Sequence, residues 1–268
     1  MNDLMQLKKF DEIPLLGTRF HKLKASDLIE YIVKAGKLDK KTIVGNVNIR
    51  ALNFAVELPW YRNFLNQSDL VFCDGFGVIL GAKFLGNSVN SVHRMTCPDY
   101  IEQLALACQQ KNVSLFLLAG KPGTVDKAIS KIQLIAPNLK IRGHHGYFDK
   151  FGAENDAVIQ EINQFKPGVL YVGFGMPMQE SWILNNIDKI DAKVFLPLGA
   201  CLDFYTNNVY RGPRWMTDSG LEWLSRLITE PTRLWQRYLI GNPLFFYRIM
   251  REKLRNFFKK LSTVINHY

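Results

Sequence analysis

Asp74 is the first residue whose setting could do chemistry. In Asp74-Gly-Phe-Gly77 it follows the apolar run Leu70-Val-Phe-Cys73, so a carboxylate stands at a strand end beside glycines that let a ligand approach the backbone. Such a carboxylate can meet a ligand bound at the strand end, and it can equally cap a helix or turn. Gly75, Gly77 and Gly81 form GxGxxxG, not the dinucleotide GxGxxG. The acidic residue expected ~20 positions after a true fingerprint is also missing, Asp99 being the next candidate, which disfavours a nicotinamide cofactor.

Two further glycine-bearing loops draw attention. Gly120-Lys121-Pro-Gly123 precedes Thr124 and a helical pattern, so its amides could receive a phosphate, although it lacks GxxxxGK[ST] and reads equally well as an ordinary turn. In Gly173-Phe-Gly175-Met-Pro177-Met-Gln179-Glu180 a strand end turns into a helix whose first residues carry an amide and a carboxylate. Gln179 can donate and accept at once, which suits a sugar or nucleobase edge or the capping of its own helix. His144 and His145 precede Gly146-Tyr147-Phe148-Asp149, but there is no HExxH, no Asp-x-Asp and no GxSxG, so neither a metal site nor a hydrolase triad has support. Cys73, Cys97, Cys108 and Cys201 show no CxxC spacing, and free thiols in a reducing compartment are expected.

These residues sit where short apolar runs alternate with helical patterns. Strands are predicted at 42–47, 69–73, 114–119, 139–143, 169–174 and 193–198, with helices at 48–66, 77–84, 98–110, 124–135, 154–165 and 178–187. The alternation predicts an α/β fold, a Rossmann-like open and mainly parallel sheet with helices on both faces, in which ligands bind beyond the carboxyl ends of the strands. The Rossmann-like domain, where any chemistry of these loops would sit, is expected over residues 1–210. Residues 211–268 form a helical, basic appendage, with a helix over 220–237, a break at Gly241-Asn-Pro243 and a last helix to the end.

The chain has 268 residues and a net charge of +10, of which residues 211–268 carry +7. That asymmetry points to an anionic partner: nucleic acid, an acidic membrane surface or a phosphorylated substrate. In the last helix Phe246, Met250, Leu254, Phe257, Phe258, Leu261 and Ile265 recur near helical spacing, with Arg248, Arg251, Arg255 and Lys259 on another side. The pattern suits an interfacial helix on an anionic membrane, and a helix docked on the core would look similar. With no apolar stretch long enough to span a bilayer and no signal-peptide core near Met1, the expected location is the cytoplasm, peripheral on the inner face of the membrane. No nucleic-acid reading motif is present, so no nucleic-acid partner is expected; a homo-oligomer stays open.

Taken in order, Asn48, Asp74-Gly-Phe-Gly, Arg94-Met-Thr96-x-x-Asp99, the 120–123 loop, Gly146-Tyr-Phe, Gly173-Phe-Gly-x-Pro-x-Gln-Glu180, Gly199-Ala, Asp203-Phe, Arg211-x-Pro, Trp215, Gly220-Leu-Glu-Trp223, Arg226-Leu and Glu230-Pro-x-Arg233 resemble the WecG/TagA/CpsF glycosyltransferases. The resemblance runs from about Thr42 to Arg237. It implies inverting, metal-independent transfer of a sugar from a UDP-sugar to a polyprenyl-diphosphate-linked saccharide in cell-surface polysaccharide or teichoic-acid-type synthesis, with no cofactor. Asp74 would be the base and Arg94 a catalytic arginine. Asn46, Asn48, Gly75, Gly77, Thr96, Gly120, Lys121, Gly123, Tyr147, Phe148, Gly173, Gly175, Pro177, Gln179, Glu180, Gly199 and Asp203 would line the substrates. Arg226, Arg233 and Arg237 would belong to the substrate site from the appendage, at least one of them closing over the diphosphate. The chain departs from the pattern at Asn46, where many members carry Thr, so contacts near the donor sugar differ. Two readings from other classes stand beside this one: a noncatalytic membrane-bound sugar-nucleotide sensor and, less favoured, a nucleic-acid-binding protein.

Overall fold

The computed structural model describes residues 7–265. The chain opens with an antiparallel hairpin, β1 (Glu12–Leu15) and β2 (Thr18–His21), followed by α1 (Ala25–Ala35). Six parallel strands then build one sheet: β3 (Thr42–Val47), β4 (Leu70–Cys73), β5 (Leu115–Ala119), β6 (Ile141–His144), β7 (Val169–Gly173) and β8 (Val194–Pro197). Their order is β4-β3-β8-β7-β5-β6. These are the six strands read from the sequence. The runs Leu115-Phe-Leu-Leu-Ala119 and Val194-Phe-Leu-Pro197 are apolar throughout because helices cover both faces of the sheet. One core layer packs Leu117, Tyr171 and Leu196 with α1 residues such as Leu28, and the other packs Phe116, Val172 and Phe195.

The chain leaves β3 toward one sheet edge, β4, and leaves β5 toward the opposite edge, β6. Crevices for ligands open above such a divergence. The helices between strands are α2 (Ile49–Glu57), α3 (Pro59–Gln67), α4 (Phe76–Phe84), α5 (Cys97–Gln110), α6 (Thr124–Gln133), α7 (Gly152–Phe165), α8 (Met178–Asn186) and α9 (Cys201–Tyr205). The single helix expected over 48–66 is split, because Pro59 cannot donate to Ala55 and breaks the ladder. The Ala55 carbonyl accepts from Arg62 Nε instead, at 2.8 Å. Free thiols are also not what is found throughout: Cys97 and Cys201, heading α5 and α9, form a disulfide, while Cys73 and Cys108 are buried free thiols. Their separation of 104 residues hid a proximity that the stacked βα units create.

Beyond α9 lie α10 (Arg214–Asp218), α11 (Glu222–Thr229), α12 (Pro231–Trp235), a π-helical turn (Gln236–Ile240) and α13 (Gly241–Ile265). The expected break at Gly241-Asn-Pro243 does not occur. The π turn just ahead of Pro243 lets one helical rod pass a residue that cannot donate. Phe245 and Ile249 are buried in the core, with Phe245 packed so closely on Gly81 that a Cβ there would lie 2.8 Å from its ring. Arg248 bonds Asn53 Oδ1 at 2.9 Å and Glu57 at 2.8 Å, and Glu252 accepts from the Leu16 amide of the hairpin at 2.9 Å. Further along α13, Met250, Leu254, Phe257, Phe258 and Leu261 are exposed. The docked reading holds for the first half of this helix, and the second half leaves its apolar side chains exposed; the Ile265 side chain lies outside the described residues. Among the described residues no helix is long and apolar enough to cross a membrane.

Candidate active site

Asp74 follows β4 directly, and its amide donates to Val47 O at 2.8 Å. An isolated parallel bridge pairs Cys73 with Arg94, with the Met95 amide donating to Cys73 O at 2.8 Å. That one pairing beyond β4 brings Arg94 and Thr96 alongside Asp74. Asp74 caps no helix, since the N-cap of α4 is Gly75. Asn48 is the residue that caps, its Oδ1 accepting from the Ala51 amide of α2 at 3.1 Å. Asn46 is buried, with its amide nitrogen on Pro197 O and its Oδ1 without a partner among the described residues.

These side chains form the strand-end wall of a cavity of about 440 Å³, to which Gly75, Gly77, Gly175 and Gly199 also contribute. The opposite wall comes from the last 50-odd residues: Glu222, Trp223, Arg226, Arg233, Arg237 and Tyr238. Gly220 holds that wall close, its backbone lying so near Phe76 that a Cβ would overlap the ring. Arg211 adds a tether, bidentate to Asp99 at 2.6 and 2.9 Å and 3.6 Å from Glu222.

Five arginines, Arg50, Arg94, Arg226, Arg233 and Arg237, and two carboxylates, Asp74 and Glu222, line this space. Burial pushes the Asp74 carboxyl up to about 7, and the Glu222 carboxylate adds to it, while Thr96, Arg94 and Arg237 hold it back. Burial lowers Arg237 to about 10, with the like charges of Arg226 and Arg50 adding to it. Arg226 lies 4.9 Å over the Phe204 ring, and its buried Nε finds no acceptor among the described residues. Arg233 forks onto Glu230 at 2.6 and 2.7 Å.

A second cavity, of about 870 Å³, adjoins the first and shares Gly175 and Arg233 with it. Gly120, Tyr147, Phe148, Gly173 and Asp203 line it. Lys150 Nζ sits 3.7 Å over Phe148 and 4.5 Å over Phe174 while donating to the Gly146 and Phe148 carbonyls. Burial raises the Asp203 carboxyl above its usual range, opposed by Lys121 and Arg233. Tyr147 and Phe151 stand exposed at the rim.

The expected site residues Lys121, Gly123, Pro177, Gln179 and Glu180 line neither cavity. Gln179 is fully buried, and its Oε1 accepts from two backbone amides, Gly175 at 3.2 Å and Gly199 at 3.0 Å. Sequence reasoning in turn missed Glu222, Trp223, Tyr238, Phe204 and Lys150 as wall residues. Glu222 and Trp223 stood inside the quoted Gly-Leu-Glu-Trp motif, and nothing in the sequence marked Lys150. Among the described residues no three His, Cys, Asp or Glu side chains are grouped to hold a metal ion.

The model of the glycosyl transferase WecG/TagA/CpsF family matches residues 13–259, which spans the sheet, both cavities and most of α13. The chain belongs to this family. It is similar to an N-acetylglucosaminyldiphosphoundecaprenol N-acetyl-β-D-mannosaminyltransferase of Bacillus subtilis, 28% identical over 251 residues covering 93% of each chain. A Staphylococcus aureus protein of the same description is 25% identical over 244 residues, covering 90% of this chain and 93% of its own. The WecG/TagA/CpsF match agrees with the ordered motifs and makes this chain a glycosyltransferase.

Proposed function

We propose that this glycosyltransferase moves a sugar from a UDP-sugar to a polyprenyl-diphosphate-linked saccharide, with inversion and without a metal, in the synthesis of a bacterial cell-surface or teichoic-acid-type glycan. The observation that carries the reading is the placement of Asp74 at the strand ends in one cavity with five arginines, its carboxyl pushed up to about 7 by burial. A group that is half ionised near neutral pH is a good general base for a sugar hydroxyl. The acceptor hydroxyl attacks the anomeric carbon from the face opposite the diphosphate, Asp74 takes its proton, and the bond from that carbon to the diphosphate oxygen breaks. UDP leaves with the electron pair.

Negative charge grows on the departing diphosphate, and guanidinium groups can meet it in place of a metal. Arg94 approaches from the strand ends and Arg226, Arg233 and Arg237 from the other wall. The adjoining cavity, with Tyr147 and Asp203, is suited to the nucleoside: an aromatic face for the base and a carboxylate for hydroxyls. Arg233, common to both, stands where a diphosphate would bridge them. The similar proteins of B. subtilis and S. aureus are named for a lipid-diphosphate acceptor, which supports placing the same acceptor class here. The exposed apolar side chains of α13 and their neighbours Arg251 and Arg255 suit an anionic membrane surface, where such an acceptor resides.

The test is transfer from a panel of UDP-hexoses, UDP-N-acetylhexosamines and UDP-hexuronic acids to a lipid-diphosphate-linked sugar in EDTA, for the wild type and Asp74→Asn. Wild-type turnover that collapses in the variant, with UDP binding retained, is expected and identifies the donor. A variant that signals or turns over undiminished would point to a sensor or to another base.

A further inference from the structure

Glu180 is 1% exposed, lines neither cavity, and no step of the transfer uses it. A buried carboxyl destabilises a fold unless it is well partnered. One of its oxygens, Oε1, accepts from Gln179 Nε2 at 2.8 Å. Among the described residues the other, Oε2, has no partner of good geometry, although the fully buried Tyr61 hydroxyl, itself without one, lies close enough to interact with it.

What Glu180 touches is informative. Gln179 Oε1 joins the Gly175 amide, just beyond β7, to the Gly199 amide, just beyond β8. Both glycines hold left-handed backbone, φ +90° and +58°, which a side chain would strain, and both edge the reaction cavity. The Gly199 carbonyl is tied as well, accepting from the Tyr171 hydroxyl at 3.1 Å. A side-chain amide has two ends of similar shape and opposite polarity. Turned over, Gln179 would set its NH2 group against two backbone N–H groups. The group that prevents this is the acceptor on its other end.

We infer that Glu180 is a positioning residue for the transfer reaction: by accepting from Gln179 it fixes the orientation of that amide and so locks the Gly175 and Gly199 turns that form the cavity floor. The inference rests on the transfer reading above for its effect on rate, and on geometry alone for the lock itself. Either protonation state of Glu180 leaves a carbonyl-type oxygen to accept. Glutamine of the same shape therefore replaces it in this role, and an apolar side chain does not.

Glu180→Gln and Glu180→Met separate the cases, read by steady-state transfer and by amide hydrogen exchange at Gly175 and Gly199. Glu180→Met is expected to lower kcat by about 10²-fold with a much smaller change in KM for the donor, as misplacement of reacting groups does. Exchange at the two glycines should quicken by at least about tenfold while the Leu117 amide in β5 stays protected. Glu180→Gln should keep most of kcat, keep the slow exchange, and leave the pH profile in place. If Glu180→Met does not fold, Gln179→Met removes the same lock from the other side and should give the same pair of changes. Equal loss of activity in Glu180→Gln and Glu180→Met would mean that the carboxyl itself works as an acid or base, and would overturn the positioning role. Unchanged exchange in the methionine variants would do the same. A wild type that transfers nothing would remove the transfer reading while the exchange data still decide the lock.

Discussion

The two walls of the reaction cavity are built differently. The strand-end wall hangs from β3, β4, β7 and β8, whose side chains are almost wholly buried, so Asn46, Asp74 and Thr96 stand on a closely packed base. The facing wall, from α10 to the π turn, buries few side chains: Thr217, Ser225, Leu234 and Tyr238. Trp215, Ile228, Trp235, Leu239 and Ile240 lie exposed along it. Segments with so little buried area open at lower free energy than a sheet core. Asp74, the proposed base, thus belongs to the rigid wall and three of the arginines to the looser one. An active site that is complete only when the second wall is seated can be gated by what seats it, and α13 runs from the core, through Phe245 and Ile249, to an exposed apolar face.

The largest test of that contrast is Asp74→Asn, which should lower transfer by about 10³-fold while UDP still binds. The wild type should gain rate as pH rises to about 7 and then level off, because a base works only when ionised. Stability should move the opposite way. A carboxyl raised to about 7 in the folded protein favours folding in its protonated form, and that contribution is lost as pH climbs from 3.8 toward 7. The asparagine variant, measured by denaturant unfolding, should therefore gain on the wild type over that interval and hold its advantage above it.

The loose wall is tested by Arg226→Ala and Arg237→Ala, each expected to cost about 10² in kcat through lost charge stabilisation. Point changes serve better than truncation after Tyr210, since removing α13 would also pull Phe245 and Ile249 from the core. A smaller effect is expected from Phe257→Ser with Phe258→Ser. Binding to vesicles rich in anionic lipid should weaken by about tenfold, with turnover on a short-chain, water-soluble acceptor kept. Loss of both would mean that this end of α13 also supports the cavity.

The same contrast explains what was legible in the sequence. All six strands of the sheet were readable because continuous apolar runs have few other uses, and Asp74 was readable because strand ends are where such sheets bind. The amphipathic α1, with Leu28, Ile32 and Ala35 buried, carried an equally plain stripe but lay ahead of the motifs that directed attention. The hairpin did not show, since four-residue strands are too short to display alternation. Pairings distant in sequence, Cys97 with Cys201 or Arg211 with Asp99, depend on the stacking of whole βα units and leave no local trace. Gln179 illustrates the harder case. Its type and place suggested a ligand contact, yet its oxygen holds two backbone amides, a use that only the approach of β7 and β8 loops reveals.

The subtlest prediction concerns the contact between the two walls. Glu222, from the loose wall, is the second cause of the raised Asp74 carboxyl after burial. Its charge reaches Asp74 only while α11 is seated. Glu222→Gln removes the like charge and leaves Arg211 its bidentate bond to Asp99. The acidic limb of the pH–rate profile should then move to lower pH, by less than burial alone accounts for, raising the rate at pH 6 relative to the plateau about two- to threefold. With the acceptor presented on anionic vesicles the shift should be at its fullest, because a seated α11 keeps Glu222 near the base. An unmoved limb on vesicles and in detergent alike would mean that the two walls do not meet electrostatically during turnover, and the arginines of the loose wall would then have to act without bringing Glu222 with them.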